Sequence, residues 1–256
     1  MDLFEQQWQT YRSVIENDWM EHRGVTAACS SALQAWMAQH PERHRQARLL
    51  DLGCGDMAQM APVFRALPLG AFVGVDLTEQ VLPMAASALG DVPFTAEFHH
   101  RDVQRFVEAE GEPFDLVHAS FVLHHLSDDE KARFLSTLRG RIRRDGAFLW
   151  IDVFCEPGES REDYLARYVS RIRSGWDTIA VDAREAVVTH ITAYDFPADR
   201  SAIVDVAADS GWHMEWVWQG SHRAEAAALL TPTAPRSANY STSVPRHNIS
   251  AVSMFD

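Results

Sequence analysis

Apolar residues along this chain change their spacing several times, and each change marks an element. Phe4, Trp8, Tyr11, Ile15, Trp19 and His22 recur at steps of three and four, which is one face of a helix. A second helical piece over residues 26–39 is stopped by Pro41. These two helices either cover the core or close over a ligand, and an aromatic with a polar tip such as Tyr11 suits the second job. The spacing then tightens. Leu49, Leu50 and Leu52, broken only by Asp51, read as a buried strand. Gly53 and Gly55 follow, and residues 57–67 return to helical spacing. A strand, a glycine turn and a helix start form the local recipe for a nucleotide-type site, since glycine lets backbone approach a ligand and a helix start offers unpaired N–H groups.

After that turn the pattern alternates. Residues 71–77 read as a strand, and Thr78 is placed to cap a helix carrying Val81, Leu82, Ala85 and Leu89 that stops near Gly90. Residues 94–98 form a strand, 104–110 a short helix ended by Gly111, and 114–120 a further strand. Ser127 and Glu130 make a capping box for a helix with Phe134, Leu135 and Leu138, and residues 146–153 form a fifth strand. Strands separated by helices predict parallel βαβ units in one twisted sheet.

The alternation breaks over residues 155–197, which hold no good strand. Ser160 with Asp163, and Asp182 with Glu185, open helices that predict a helical insertion above the sheet. Residues 201–210 are one more helix, ended by Gly211. Residues 212–218 alternate, 219–221 turn, and 224–230 return as a hairpin. From Thr231 the residues are mainly Thr, Pro, Ser and Asn, the composition of a loose tail. The implied layout is an N-terminal helical lid (1–44), a core (45–154), a helical substrate cap (155–197), a final helix and hairpin (198–230) and a tail (231–256).

Composition narrows the class. The 256 residues, 46% hydrophobic, suffice for one sizeable core with an added cap. The formal charge of −13 repels nucleic acid, so a small-molecule or protein substrate is expected. Four arginines between Arg139 and Arg144 fit a solvated helix end. Cys29, Cys54 and Cys155 lack paired metal spacing; no metal is expected, and a reducing cytoplasm fits. No signal peptide, membrane span or internal repeat is evident.

Ligands of a parallel sheet sit beyond the carboxyl ends of its strands. Those ends deliver, in order, Asp51 with Gly53 and Gly55, then Asp76, then Asp102 with Val103, then Ala119, Ser120 and Phe121. Asp76 stands about 20 residues after the glycines, where an acid can take two ribose hydroxyls. Together these residues resemble the class I S-adenosylmethionine-dependent methyltransferases. The matching stretches are 50–56 (Leu-Asp-Leu-Gly-Cys-Gly-Asp), 74–77 (Gly-Val-Asp-Leu), 101–103 (Arg-Asp-Val) and 114–126, with 144–150 at the turn into the fifth strand. The resemblance covers about residues 45–154. It implies a Rossmann-like doubly wound α/β fold, a seven-stranded sheet with the last strand antiparallel.

It also implies roles for these residues. Asp51, Gly53 and Gly55 would border the methionine part of the cofactor. Asp76 would hold the ribose hydroxyls, with Leu77 against the adenine. Asp102 and Val103 would meet the adenine amino group and ring, and Ala119 and Ser120 would lie near the reactive methyl. Met57 departs from the pattern, standing where many members have a third glycine.

Two other readings stay open. Gly53-x-Gly55-x-x-Ala58 with Asp76 also satisfies the dinucleotide fingerprint of an NAD(P)-dependent oxidoreductase. Against it, Asp51 would place negative charge near a pyrophosphate, whereas it suits a sulfonium and an ammonium. The other is a catalytically inactive cofactor-binding module serving a partner protein. Among acid–base candidates, His124 is preferred as base, with His125 as a ring that hydrogen-bonds backbone. His22, His190 and Tyr194 are placed to line an acceptor pocket. No acid–acid–Asn cluster supports metal-dependent transfer. The expected acceptor is a small metabolite reacting at oxygen, nitrogen or sulfur.

Overall fold

The structure, a computed structural model, describes residues 3–233, with side chains from Trp8 onward. Phe4 of the aromatic stripe and residues 234–256 of the expected tail lie outside the side chains and residues described. The N-terminal stripe is divided between two helices, α1 (Leu3–Glu16) and α2 (His22–Gln39). Between them Asp18 and Glu21 adopt left-handed φ values of 58° and 53°. The Glu21 carboxylate accepts the backbone N–H of Ser221 at 2.9 Å, so the break is tied to the far end of the chain. The second helix is a core helix. Its Val25, Cys29, Leu33, Trp36 and Met37 pack with Leu49, Phe64, Phe72 and Leu116.

The sheet follows from runs of buried aliphatic residues. The strands are β1 (Ala47–Leu52), β2 (Leu69–Asp76), β3 (Thr95–His100), β4 (Phe114–Ser120) and β5 (Ile142–Cys155). They pair in parallel. A two-residue strand, β6 (Ala198–Asp199), extends beside the end of β5. The hairpin β7 (Trp212–Gln219) and β8 (Glu225–Pro232) closes the sheet. The order is β3-β2-β1-β4-β5-β8-β7, with β8 antiparallel to both neighbours. This is the expected mixed α/β sheet with an antiparallel final strand. Thr231 and Pro232, expected in the tail, belong to β8.

Helices cover both faces. They are α3 (Ala61–Arg65), α4 (Leu82–Leu89), α5 (Val103–Glu108), α6 (Asp128–Arg139), α7 (Arg161–Gly175), α8 (Val181–Tyr194) and α9 (Ala202–Asp209). The capping box of Ser127 and Glu130 is present at α6, and Ser160 caps α7. Two expected starts moved. The helix expected from residue 57 begins at Ala61, because Met57 takes φ 58°, which no α-helix accommodates. Thr78 makes no side-chain cap, and a 3₁₀ turn over Glu79–Val81 intervenes before α4. The arginine run is partly engaged within the fold. Arg139 donates to the Gly211 and Thr233 carbonyls, and Arg143 pairs with Asp115 at 3.2 Å. The expected insertion is α7 and α8. Tyr164, Tyr168, Ile172 and Trp176 of its first half pack with Val14 of α1 and Val153 of β5.

Candidate active site

The strand order sets the ends of β3, β2, β1 and β4 side by side, with the chain reversing direction across the sheet between β1 and β4. Such a switch point opens a crevice. The glycine turn occupies it. The N–H groups of Gly53 and Cys54 both donate to the Val75 carbonyl, at 2.7 and 3.0 Å, which folds the turn onto β2. Gly53 (φ 69°) faces inward, where a Cβ would lie 2.1 Å from Val122 Cγ2. Gly55 (φ 53°) is the opposite case: a Cβ there would meet nothing within 4 Å. Bare backbone at Gly55 therefore faces the crevice. The expected helix start with free N–H groups is not what lines it, since α3 begins six residues further on.

Asp76 ends β2 and braces the turn. One carboxylate oxygen accepts the Gly55 N–H at 2.9 Å and the other accepts the Thr78 N–H at 2.8 Å. Leu77 beside it is 67% exposed. Asp102 follows β3 and caps α5, accepting the Arg105 N–H at 2.9 Å, while Val103 packs on the core. Ala119 is fully buried and Ser120 half-buried at the end of β4.

Asp51 behaves differently from the other acids. It shares the strand parity of Leu49, so its side chain enters the sheet face, and there its carboxylate lies 2.6 Å from His118 Nδ1. Both side chains are buried. Asp51 thus sits beneath the turn, with its carboxyl group held by a histidine that the sequence reading did not single out. The shared parity of Leu49–Asp51 and Leu116–His118 on neighbouring strands was the available signal.

The first helix reaches this crevice. Desolvation first, then the nearby carboxylates of Asp56, Asp76 and Asp51, raise the Tyr11 pKa above the usual phenol range, on a residue that is still 41% exposed. His22 at the start of α2 packs its ring 5.4 Å from that of Phe121, just past β4. Burial lowers its pKa to about 4, against a weaker opposing pull from Asp18.

Beyond β4 lies a second polar group. His124 is buried, and its Nδ1 is 2.5 Å from an oxygen of Asp152 in β5. Asp152 also accepts the His124 backbone N–H, the Trp150 indole N–H and the Val153 N–H. Burial opposes a charge on His124, but the Asp152 carboxylate outweighs it and raises the pKa. His124 Nε2 lies 3.7 Å from Asp195 at the end of α8. His125, the more exposed ring, has its Nδ1 3.3 Å from the Tyr194 carbonyl and 3.6 Å from Asp195. His190 stands edge-on to His125 at 5.6 Å. The expected acceptor-side residues His124, His125, His190 and Tyr194 therefore meet at one place. Asp152 and Asp195 were missed. A lone acid inside the all-buried run of β5 was a signal for the first; nothing local marked the second.

Comparison with known proteins bears on this geometry. Residues 50–148 match the family described as a methyltransferase domain. Residues 50–148 therefore form a methyltransferase domain. No curated protein matches the chain. Among solved structures, magnesium protoporphyrin IX methyltransferase (ChlM) from Synechocystis PCC 6803 with bound SAH superposes with a TM-score of 0.58 at 14% identity, covering 89% of this chain and 93% of that one. The DhpI–SAH complex gives 0.51 at 16% identity, covering 91% and 98%. The mitomycin 7-O-methyltransferase MmcR gives 0.51 at 18% identity and covers 73% and 49%, so this methyltransferase spans about half the length of that protein. At these identities the likeness is one of fold. The crevice suits S-adenosylmethionine on its own terms: bare backbone at Gly55, then the carboxylates of Asp76 and Asp102 at the next two strand ends, with exposed Leu77 beside Asp76. Among the described residues no helix is long and apolar enough to cross a membrane.

Proposed function

We propose that this methyltransferase acts on oxygen, nitrogen or sulfur of a small-molecule acceptor, in the cytoplasm. The observation that carries the reading is the row formed by bare Gly55, Asp76 and Asp102 at adjoining strand ends, beside the His124 group where α8 meets β4. The acidic composition supports a small acceptor over nucleic acid, and the three buried, unpaired cysteines support a reducing compartment.

In this reading Asp76 receives the ribose hydroxyls and Leu77 and Val103 lie against the adenine. Asp102 meets the amino group, and Gly53, Gly55 and buried Asp51 border the methionine end. Ala119 and Ser120 form the floor near the transferred group. The cofactor supplies a methyl group on a sulfonium, which is already a good leaving group. The protein's work is then to orient the acceptor and exclude water. Tyr11, His22 and the α7–α8 segment are the elements proposed for that work. Where the acceptor arrives protonated, His124 is the proposed base: Asp152 fixes Nδ1 and leaves Nε2 to take the proton.

Calorimetric titration of the full chain tests the cofactor assignments. S-adenosylhomocysteine should bind, NAD should not, and Asp76→Ala should weaken binding at least tenfold with the melting temperature little changed. Unaltered affinity in that variant would remove Asp76 from the site. A labelled-methyl screen against metabolite extracts then tests turnover. Binding with no transfer to any fraction would favour an inactive module over an enzyme of small molecules.

A further inference from the structure

The acceptor end of the site holds a second constellation whose chemistry the methyl-transfer reading does not need. His124, His125 and Asp195 each bring one ligand-type atom to a common point, all within 4.8 Å of one another. Among the described residues this is the one such group of histidines, cysteines and acids. Three features set it apart from an ordinary ion-pair cluster.

The first is spacing. Asp195 Oδ1 is 3.7 Å from His124 Nε2 and 3.6 Å from His125 Nδ1. Both are too long for hydrogen bonds. Ligands bound at about 2.0–2.1 Å in a tetrahedral shell stand about 3.4 Å apart, and in an octahedral shell about 3 Å. The observed edges fall nearer the tetrahedral value. The second is the orphaned oxygen. Asp195 is 4% exposed, and its Oδ1 has no hydrogen-bond partner. A buried carboxylate oxygen without a donor is costly unless a cation answers it. Lys131, the nearby buried ammonium, does not answer it: its Nζ is held by the Leu126 and Phe196 carbonyls. The third is the outer contact. Asp152 takes His124 Nδ1 and so aims Nε2 toward Asp195 and His125. A carboxylate behind a histidine is the usual support for a metal-ligating imidazole, fixing its tautomer and orientation. His190 stands ring to ring with His125 but outside this group, which leaves a fourth position to water.

We propose that His124, His125 and Asp195 form a site for a divalent first-row transition ion of the zinc class, positioned by Asp152 at the acceptor end of the crevice. Imidazole and carboxylate ligands suit such an ion, and three protein ligands leave a position for an acceptor atom. An oxygen or sulfur acceptor bound there would lose its proton more readily, because the ion stabilises the anion. An Nε2 that ligates an ion does not also take a proton, so the metal and base roles of His124 exclude each other. The metal site rests on the cluster alone and can be measured without S-adenosylmethionine.

The test uses the full chain stripped with a chelator and titrated with Co²⁺, then Zn²⁺. One Co²⁺ per chain should bind with the intense visible absorption of a four-coordinate ion, and Zn²⁺ should displace it. His125→Ala, at an exposed ring, and Asp195→Asn should each weaken binding at least tenfold while melting like the parent without metal. Asp152→Asn should weaken it 10–100-fold, the range for such supporting contacts. His100→Ala, at an exposed ring on β3, should change nothing. Failure to bind Co²⁺, a weak six-coordinate spectrum, or binding that survives His125→Ala and Asp195→Asn would overturn the site and leave His124 as a base. Loss of S-adenosylhomocysteine binding in Asp76→Ala with Co²⁺ binding intact would separate the two sites.

Discussion

Asp51 Oδ1 and His118 Nδ1 meet at 2.6 Å across the β1–β4 pair, where the two residues are register partners. The His118 ring also lies edge-on to Phe64 at 5.4 Å. Removing one member of a buried hydrogen-bonded pair leaves the other polar group without water or a partner, at a cost of about 1–3 kcal/mol. His118→Leu should therefore lose about that much stability in urea denaturation. The double variant Asp51→Asn, His118→Leu should be more stable than the sum of the single losses predicts. Losses that simply add would show that the two groups do not act as a pair.

The two glycines of the turn should fail in different ways. A methyl group at Gly53 has no room beside Val122, and the backbone there is left-handed. Gly53→Ala should lower the melting temperature sharply. Gly55 shares the left-handed strain, about 1–2 kcal/mol for an L side chain, but not the clash. Gly55→Ala should fold with a modest stability loss and bind S-adenosylhomocysteine at least tenfold more weakly, because its methyl group projects into the crevice. Equal binding by this variant and the parent would mean that the ligand does not pass over Gly55.

The ease of reading these elements from sequence tracks how local their causes are. The fourth strand matched at both ends, because its apolar run is bounded by a proline and the turn past Ser120. The α6 capping box matched because all its partners lie within four residues. The start of α3 was misplaced for the opposite reason. The turn before it is held by Val75 and Asp76, some twenty residues away, and Met57 is forced into a left-handed conformation. The strand-end acids were legible as a set, since the βα alternation places every such end on one rim. The direction of the Asp51 side chain is set by period two, as Leu49 and Asp51 share a face, but the histidine it meets lies 67 residues away. Asp195 was not legible: the contact that gives it meaning joins positions 195 and 124, the end of the insertion and the turn past β4.

Tyr11 supplies a test of the lid. It feels the three carboxylates of the turn and is 41% exposed, so it should help close the crevice over a bound ligand rather than hold the fold together. A single hydrogen bond of this kind is worth about 1 kcal/mol. Tyr11→Phe should then weaken S-adenosylhomocysteine binding by about fivefold, mainly by faster dissociation, with the melting temperature of the ligand-free protein unchanged. An unchanged dissociation rate would make α1 a cover for the core alone.

His22 should make stability depend on pH in a defined window. Its ordinary pKa of 6.5 falls to about 4 in the fold, because the ring is buried against Phe121 with its Nδ1 unpartnered. The unfolded chain therefore binds a proton between these two values that the folded chain refuses. Stability is full above pH 6.5, falls as the pH drops toward 4, and is level in this contribution below that. The full effect is roughly 3 kcal/mol. Asp18 limits it by favouring the charged ring. His22→Phe keeps an aromatic ring against Phe121 and removes the titration. Urea denaturation at pH 7 and pH 5 should show a larger drop for the parent than for this variant, since every other group titrates alike in both. Equal drops would mean that the ring takes up its proton without leaving its place, and that the N-terminal cover is looser than its packing indicates.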